Sequence, residues 1–333
     1  MSQVTLTDVA SHVGVSAKTV SNVVNGRGRV SAAVRDQILL AVKELGYQPN
    51  LAARQLRGGP SGMITLALPD LRQPYFAELA AHFVTKAQSR GHTVLIRQTD
   101  GAHAAECAVI ENEGLPSVDL IVLSPLSLTA PDLRARQSTI PLVLLGEQAG
   151  VIDTESATHI SASNVEGSRH AVRHLISRGR KRIAAVGIQQ GGPNASSTLR
   201  AAGYRLALED AGITPSAELM RNVVEFNRAE GSAAVQSMID DKVPFDAVFC
   251  FNDSLAFGAL HTLAMNHLRV PEDVAVVGFD DVEEAAYTVP TLTTVGPSPE
   301  GISDRVFDII DQGQGTPSGR HIFDFEVVTR ESS

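Results

Sequence analysis

Residues 4–25 read VTLTDVASHVGVSAKTVSNVVN. The spacing predicts two short helices joined by a tight turn. Thr5 can cap the first helix, and Asp8 three residues later completes a capping-box pattern. Leu6, Val9, Ala10 and Val13 follow the i, i+3, i+4, i+7 rhythm of one buried face. Gly14 is free to take the positive φ that a sharp helix–turn–helix corner needs. Ser16 can cap the second helix. Val20, Val23 and Val24 make that helix's apolar side. Lys18, Ser21, Asn22 and Asn25 fall on the opposite side, and each can hydrogen-bond a base edge or a phosphate. Ala17 is small enough to let the helix start approach a thymine methyl. An ordinary amphipathic pair with a solvated face is the structural alternative, and the surrounding sequence weighs against it.

Downstream, Gly26 ends the second helix and opens the basic loop Arg27-Gly28-Arg29. Ser31 caps a third helix whose apolar face is Val34, Ile38, Ala41, Val42 and Leu45, with Gly46 as its stop. Residues 1–47 thus form a small all-α head with a thin core. Residues 1–60 carry seven Lys/Arg against three acids, a net +4; the rest of the chain carries 21 against 34, a net −13. A basic head on an acidic body implies a polyanionic partner for the head alone.

Residues 48–60 read as a hinge and linker. Asn50 can cap a helix of about two turns, LAARQLR, that Gly58-Gly59 terminates. So short a helix is marginal in water, because nucleation is costly and few turns repay it. One reading is a linker that frays; the other is a linker that becomes helical only on DNA. Ala53 is small, Leu56 has nothing local to bury against, and Arg54 and Arg57 are basic. An apolar wedge beside basic residues suits the minor groove.

These motifs together, VTLTDVASHVGVSAKTVSNVVNG, the helix after Val30-Ser31, YQPN and LAARQL, resemble the head of the LacI/GalR family of bacterial repressors. The resemblance extends over nearly the whole chain. It implies a homodimer on a palindromic operator of double-stranded DNA. Base contacts would come from Ala17, Lys18, Asn22 and Leu56. Backbone contacts would come from Thr5, Leu6, Ser16, Thr19, Ser21, Asn25, Ser31, Asn50 and Ala53.

From Met63 apolar strands alternate with amphipathic helices. Strands are predicted at 63–68, 92–97, 119–123, 141–145, 159–161, 182–187, 222–225, 246–251 and 274–279. Helices are predicted at 74–90, 103–113, 165–178, 198–211, 229–240 and 254–267. This order means α/β architecture with parallel sheets. There are too many strands for one sheet, so residues 61–333 should form two lobes. The first is expected to hold about 61–160 plus 292–320, the second about 161–291 plus 321–333. By resemblance this is a periplasmic-binding-protein-like (type I) domain, with a ligand between the lobes at the strand carboxyl ends.

The resemblance also implies a set of contacts for a small-molecule effector. They are Tyr75 and Phe76 after the first strand, Glu147, Ser196, Arg200 in LRAAGYRLAL, Phe226, Asn252 in FCFNDSLAFGAL, and Asp280 in VVGFDD. An arginine fork and a carboxylate chelate vicinal hydroxyls, while aromatics cover a sugar's apolar face. A carbohydrate or sugar derivative is therefore the expected effector, with a nucleoside or purine as the alternative. Blander roles stay open: Phe226 as core, Arg200 as a surface arginine, Glu147 as a solvated acid, Asp253 as a helix cap. Pro297 stands where the family often has glutamine, and Pro69-Asp70 replace small hydroxyl residues.

Phosphate-loop, dinucleotide, nucleophile-elbow and zincin motifs are all missing, so no enzyme is expected. A sugar-processing α/β enzyme, or a sugar-binding protein with a merely dimerising head, are the competing classes. His170 and His174 lie four apart on a helix but lack a third ligand, so no metal and no cofactor are expected. Cys107 and Cys250 read as buried small hydrophobes. No secretory h-region and no run of about 18 apolar residues occur, which points to a cytoplasmic protein without a membrane span. The C-terminal residues lack leucine heptads, so a dimer is expected rather than a helix-tethered tetramer.

Overall fold

The computed structural model describes residues 4–24, 30–47, 60–146, 157–189, 195–296, 299–311, 319–323 and 325–333. The chain divides into two compact units, Met1–Ser61 and Gly62–Ser333.

The head holds α1 (Leu6–Val13), α2 (Ala17–Val24) and α3 (Ala32–Glu44). Thr5 and Asp8 form a reciprocal capping box on α1. Gly14 takes φ 73° at the corner and donates its N–H to Ala10. The Ser16 hydroxyl accepts the Thr19 N–H at 3.1 Å, and Ser31 accepts that of Val34 at 3.4 Å. Val9, Ala10, Val20, Val23, Ile38 and Ala41 are its buried centre, ringed by partly buried valines and leucines. Leu39 and Leu40, off the apolar face of α3, are about half exposed.

The body's first lobe is a six-stranded parallel sheet. It contains β1 (Met63–Leu68), β2 (Thr93–Gln98), β3 (Leu120–Leu123), β4 (Leu142–Leu145), β5 (Thr158–Ala162) and β11 (Gly319–Phe323), in the order β11-β5-β4-β3-β1-β2. β3 and β4 are uniformly buried runs, as expected of parallel strands covered on both faces. Helix α4 (Pro74–Ser89) packs on one face beside α11 (Pro299–Asp311), with Phe83 and Phe307 rings 4.8 Å apart. The short helices α5 (His103–Ile110) and α6 (Ala130–Ala135) belong to the other face, with its own buried cluster.

The second lobe has a four-stranded parallel sheet, β7-β6-β8-β9, from β6 (Ile183–Ile188), β7 (Met220–Asn222), β8 (Ala247–Cys250) and β9 (Ala275–Val277). Around it lie α7 (Asn164–Ser177), α8 (Ala195–Asp210), α9 (Arg228–Asp240) and α10 (Asp253–Met265). The antiparallel pair β10 (Thr294–Gly296) and β12 (Glu326–Val328) completes it. Helices α7 and α8 approach very closely because residue 203 is glycine: a Cβ there would sit 2.2 Å from the Val165 carbonyl oxygen.

Several elements depart from the sequence reading. The strand expected at 222–225 ends at Asn222, leaving 223–227 as the loop that carries Phe226. Helices α6 and α11 and strands β11 and β12 lie outside the predicted elements. The lobe crossings also fall elsewhere. Leu292 and Val295 belong to the second lobe's core, and β11 pairs with β5 of the first. Residues 292–296 are therefore second-lobe, and Gly319–Phe323 first-lobe. Among the described residues no helix is long and apolar enough to cross a membrane.

Candidate nucleic-acid interface and ligand cleft

On the head, the two faces of α2 are segregated. Val20 and Val23 are buried, Ala17 and Lys18 are exposed, and Thr19, Ser21 and Asn22 are half-buried. Thr5, Ser16 and Ser31 are exposed at the three helix starts, with Leu6 half-buried in the first turn of α1. Such starts present unpaired backbone N–H groups, the natural contact for a phosphate. The hydroxyls of Thr5, Ser16 and Ser31 are engaged as caps, and the Thr5 N–H is itself donated to Asp8 Oδ2 at 2.8 Å, so the remaining first-turn amides and the helix dipoles are what these starts offer an anion. The remaining residues implied by the resemblance, Asn25, Asn50, Ala53 and Leu56, lie outside the described residues.

In the body, a cavity of about 570 Å³ opens between the lobes at the strand carboxyl ends. Tyr75, Phe76, Ser196, Arg200, Phe226, Asn252 and Asp280 all line it. Glu147 lies outside the described residues. Tyr75 and Phe76 meet edge-to-face at 5.2 Å at the start of α4. Tyr75 packs against the cores of both lobes. Phe226 packs edge-on to Phe251, at 6.5 Å. It thus serves both core and cavity wall.

Arg200 is buried and not a surface arginine. Its Nε donates to Asn164 Oδ1 at 2.6 Å and its Nη1 donates to the Phe251 carbonyl. Its guanidinium carbon lies 3.8 Å from the Phe279 ring centroid, and Nη2 lies 3.5 Å from Asp280 Oδ1. Burial pushes the Asp280 carboxyl up to about 7, Arg200 opposes that rise, and Glu78 adds to it. The backbone here is strained, with φ of 119° at Asp280 and 52° at Asp281. It is pinned by Asp280 N–H donating to the Val295 carbonyl at 2.7 Å and by Arg330 donating to Asp281 at 2.9 Å.

The N-D pair divides its work differently from the sequence reading. Asn252, not Asp253, is the cap of α10, its side-chain oxygen accepting the Leu255 N–H at 2.9 Å. Its amide nitrogen donates to the Phe226 carbonyl at 3.3 Å. Asp253 is buried and braces the 280 loop. It accepts from Thr294 Oγ1 at 2.6 Å and from the Val282 N–H at 3.0 Å. Burial, followed by the neighbouring Asp280, holds its carboxyl well above the ordinary range. A Cβ at Gly278 would come within 2.1 Å of its Oδ1, so glycine is required there.

Sequence reasoning passed over Asn164 and Phe279, which hold the Arg200 guanidinium, and Gln73, which reaches across the cleft. Ser254 Oγ donates to Gln73 Oε1 at 3.2 Å. A second crossing contact joins the Glu283 N–H to both Glu78 oxygens, at 2.9 and 3.1 Å. Asn164 had a signal, a polar residue where a strand gives way to a helix. Asp70 forms a two-point pair with Arg72 on the cavity wall, each contact 3.0 Å. His170 and His174 do not converge. The first stacks edge-on with Phe325 and the second meets Ser333 Oγ at 2.8 Å.

The chain is similar to known proteins over nearly its whole length. Residues 5–50 match the family described as bacterial regulatory proteins, lacI family, and residues 172–333 match the periplasmic binding protein-like domain. The transcriptional regulator AscG of Escherichia coli is 31% identical, over 98% of either chain. The repressor CytR of the same organism is 30% identical over 99% of this chain and 96% of its own. The crystal structure of the lac repressor dimer bound to operator and the anti-inducer ONPF superposes with a TM-score of 0.83 at 27% identity, covering 99% of each chain. The transcriptional regulator CelR, as a cellobiose complex, gives 0.69 at 28% identity over 99% of this chain and 100% of that one. By whole-length identity to such repressors, and by the match of its head, this chain belongs to the LacI family of bacterial transcriptional regulators.

Proposed function

We propose that the protein is a dimeric repressor that binds a palindromic operator through its head and loses or gains that affinity when an uncharged polyhydroxylated effector, a sugar or glycoside, enters the cleft. Catalysis has no part in this reading. One head with a thin core covers too few base pairs for a specific site, so two heads on a two-fold site are needed. Leu56 of each subunit would enter the minor groove at the operator centre. Allosteric control requires only that the effector bind one lobe arrangement better than the other.

The observation that supports the effector class is the charge of the cavity wall. Asp70, Asp100, Glu225 and Asp280 line it together with Arg72 and Arg200. Each of these two arginines already faces an aspartate, Arg72 on Asp70 and Arg200 beside Asp280. A phosphorylated or carboxylated ligand would be repelled, whereas hydroxyls can donate to the acids and lie against Tyr75, Phe76 and Phe226. That similar regulators include one solved as a cellobiose complex and a ribose operon repressor of Halalkalibacterium halodurans agrees with this class. The resemblance to CytR and to the repressor PurR of Vibrio atlanticus keeps purines and nucleosides in the test panel.

The test is a selection of bound DNA from a random pool. Affinity for the winning palindrome is then measured with neutral sugars, sugar phosphates, nucleosides and purines added singly. The reading expects a palindrome and a response to one or more neutral sugars. A response confined to phosphorylated ligands or purines overturns the effector class, and no sequence preference overturns the repressor.

A further inference from the structure

We infer that His103, Cys107 and Asp132 form a binding site for a borderline divalent cation, zinc first among them, on the first lobe. His103 and Cys107 stand one turn apart on α5, so their side chains share a face. Asp132 comes from the start of α6. The three donor atoms lie within 4.8 Å of one another. His103 Nε2 is 2.9 Å from Asp132 Oδ2, and Cys107 Sγ is 3.7 Å from the same nitrogen. Tetrahedral zinc with bonds of about 2.0–2.3 Å separates adjacent nitrogen, oxygen and sulfur ligands by roughly 3.3–3.6 Å. The two spacings to His103 lie either side of that range and the Cys107–Asp132 spacing is no more than 4.8 Å, so modest side-chain rotations seat an ion.

The two short helices are held in register from beneath. Glu106, fully buried between His103 and Cys107, accepts the backbone N–H groups of Leu126, Ser127 and Leu128 at 2.7, 3.0 and 2.8 Å, and the Ser127 hydroxyl at 2.9 Å. This clamp fixes the loop that leads into Thr129 and α6. Thr129 in turn orients Asp132, donating its N–H to Oδ2 at 2.8 Å and its hydroxyl at 2.5 Å. Outer contacts of this kind aim a ligating carboxylate. The His103 side chain is about half exposed, 53%, which leaves solvent access for the ion and a water in the fourth position. The donor set selects the metal: imidazole with thiolate suits zinc or cobalt, and magnesium and calcium prefer oxygen alone.

Binding replaces the thiol proton of Cys107 and the hydrogen bond between His103 and Asp132. One proton leaves to solvent per ion bound, and no redox change occurs. Cys107 is part-buried at the edge of the first lobe's second cluster, so the expected buried hydrophobe holds in full for Cys250 and only in part for Cys107.

The full-length protein, stripped with chelator, is titrated with zinc alone by calorimetry and with cobalt by absorption. One ion per chain and a thiolate-to-cobalt charge-transfer band in the near ultraviolet are expected. Cys107→Ser abolishes the band, His103→Ala lowers zinc affinity by at least about tenfold, and Cys250→Ser retains both. Unchanged melting curves of the His103 and Cys107 variants without metal show that the fold is intact. Absence of stoichiometric zinc binding, or a band that survives Cys107→Ser, overturns the site. If a variant melts early, Asp132→Asn, which keeps an acceptor for Thr129, replaces it and must lower affinity likewise.

Discussion

Arg200 Nη2 lies 3.5 Å from Asp280 Oδ1, at the wall of the cleft. Both groups are largely withdrawn from water, so their pairing counts for more than that of an exposed couple. The arginine is held rigidly by Asn164, Phe251 and Phe279, which fixes the guanidinium plane that the proposed effector would meet on the cavity wall. Lysine cannot reproduce the planar fork. Arg200→Lys should weaken effector binding by about 2 kcal/mol, roughly 30-fold. Operator affinity without ligand should change little. An unchanged effector midpoint in the operator titration would refute the assignment.

Glu78 is not on the cavity wall, yet its carboxylate receives the Glu283 N–H from the other lobe. Replacing it should therefore alter the balance between lobe arrangements without removing a ligand contact. Glu78→Ala is expected to shift the effector midpoint by several-fold together with unliganded operator affinity: midpoint and operator affinity move in the same sense for an inducer and in opposite senses for a co-repressor. If ligand affinity of the isolated body and operator affinity both stay at wild-type values, this contact carries no coupling.

On the head, Asn22 sits on the polar face of α2 between buried Val20 and Val23. If its amide reads a base edge, Asn22→Ala should cost about 1–3 kcal/mol on the operator and relax preference at one position. Binding-site selection with the variant distinguishes this from a phosphate contact, which would weaken all sequences alike.

Gly203 tests how the cleft is built. Its missing Cβ lets α8 close on α7, bringing Arg200 to Asn164. The neighbour is a backbone carbonyl that cannot rotate away. Gly203→Ala should cost about 1–3 kcal/mol of stability, seen as a lower urea midpoint at unchanged slope, and should also depress the effector response. A variant as stable as wild type would show that the helices have slack.

These residues show what the sequence makes legible. Caps, corner glycine and apolar rhythm in residues 4–24 are local signals, and the head follows them closely. Parallel strands of continuous apolar residues likewise stand out. Short elements that lack such a continuous apolar run, such as α6 with its APDLRA and β12 with its EVV, carry too little pattern to register. Helix α11 starts at Pro299 in a glycine- and proline-rich stretch, and its amphipathic face reads only once α4 is known to cover it. In the cleft, resemblance supplied Arg200 and Asp280. The partners that hold them, Asn164 and Phe279, come from distant segments, and tertiary placement alone reveals them. The split between Asn252 as cap and Asp253 as buried brace depends on Thr294 and Val282, which no local pattern links to position 253.

The last prediction concerns pH. Asp280 titrates near 7 in the folded protein, mainly because burial disfavours its charge, against an ordinary carboxyl value of 3.8. A raised folded value means that the folded chain binds the proton more tightly than the unfolded chain. Asp280 therefore costs stability progressively as pH rises from about 4 to 7, and the penalty then levels off. His159 works in the opposite direction. Burial lowers it to about 4, so stability is lost as pH falls from about 6.5 towards 4. The raw profile mixes these with other shifted groups such as Glu78, and the difference between wild type and Asp280→Asn reports Asp280 together with the neighbouring Asp253, whose carboxyl the Asp280 charge raises. That variant should gain stability relative to wild type as pH rises from 5 to 8, measured as melting temperature. Effector binding should show the linked sign: hydroxyls donating to an ionised Asp280 favour the charged form, so wild-type affinity should rise through pH 7 while the asparagine variant stays weak and flat. Parallel melting curves for the two proteins across this range would show that Asp280 is not the group that titrates.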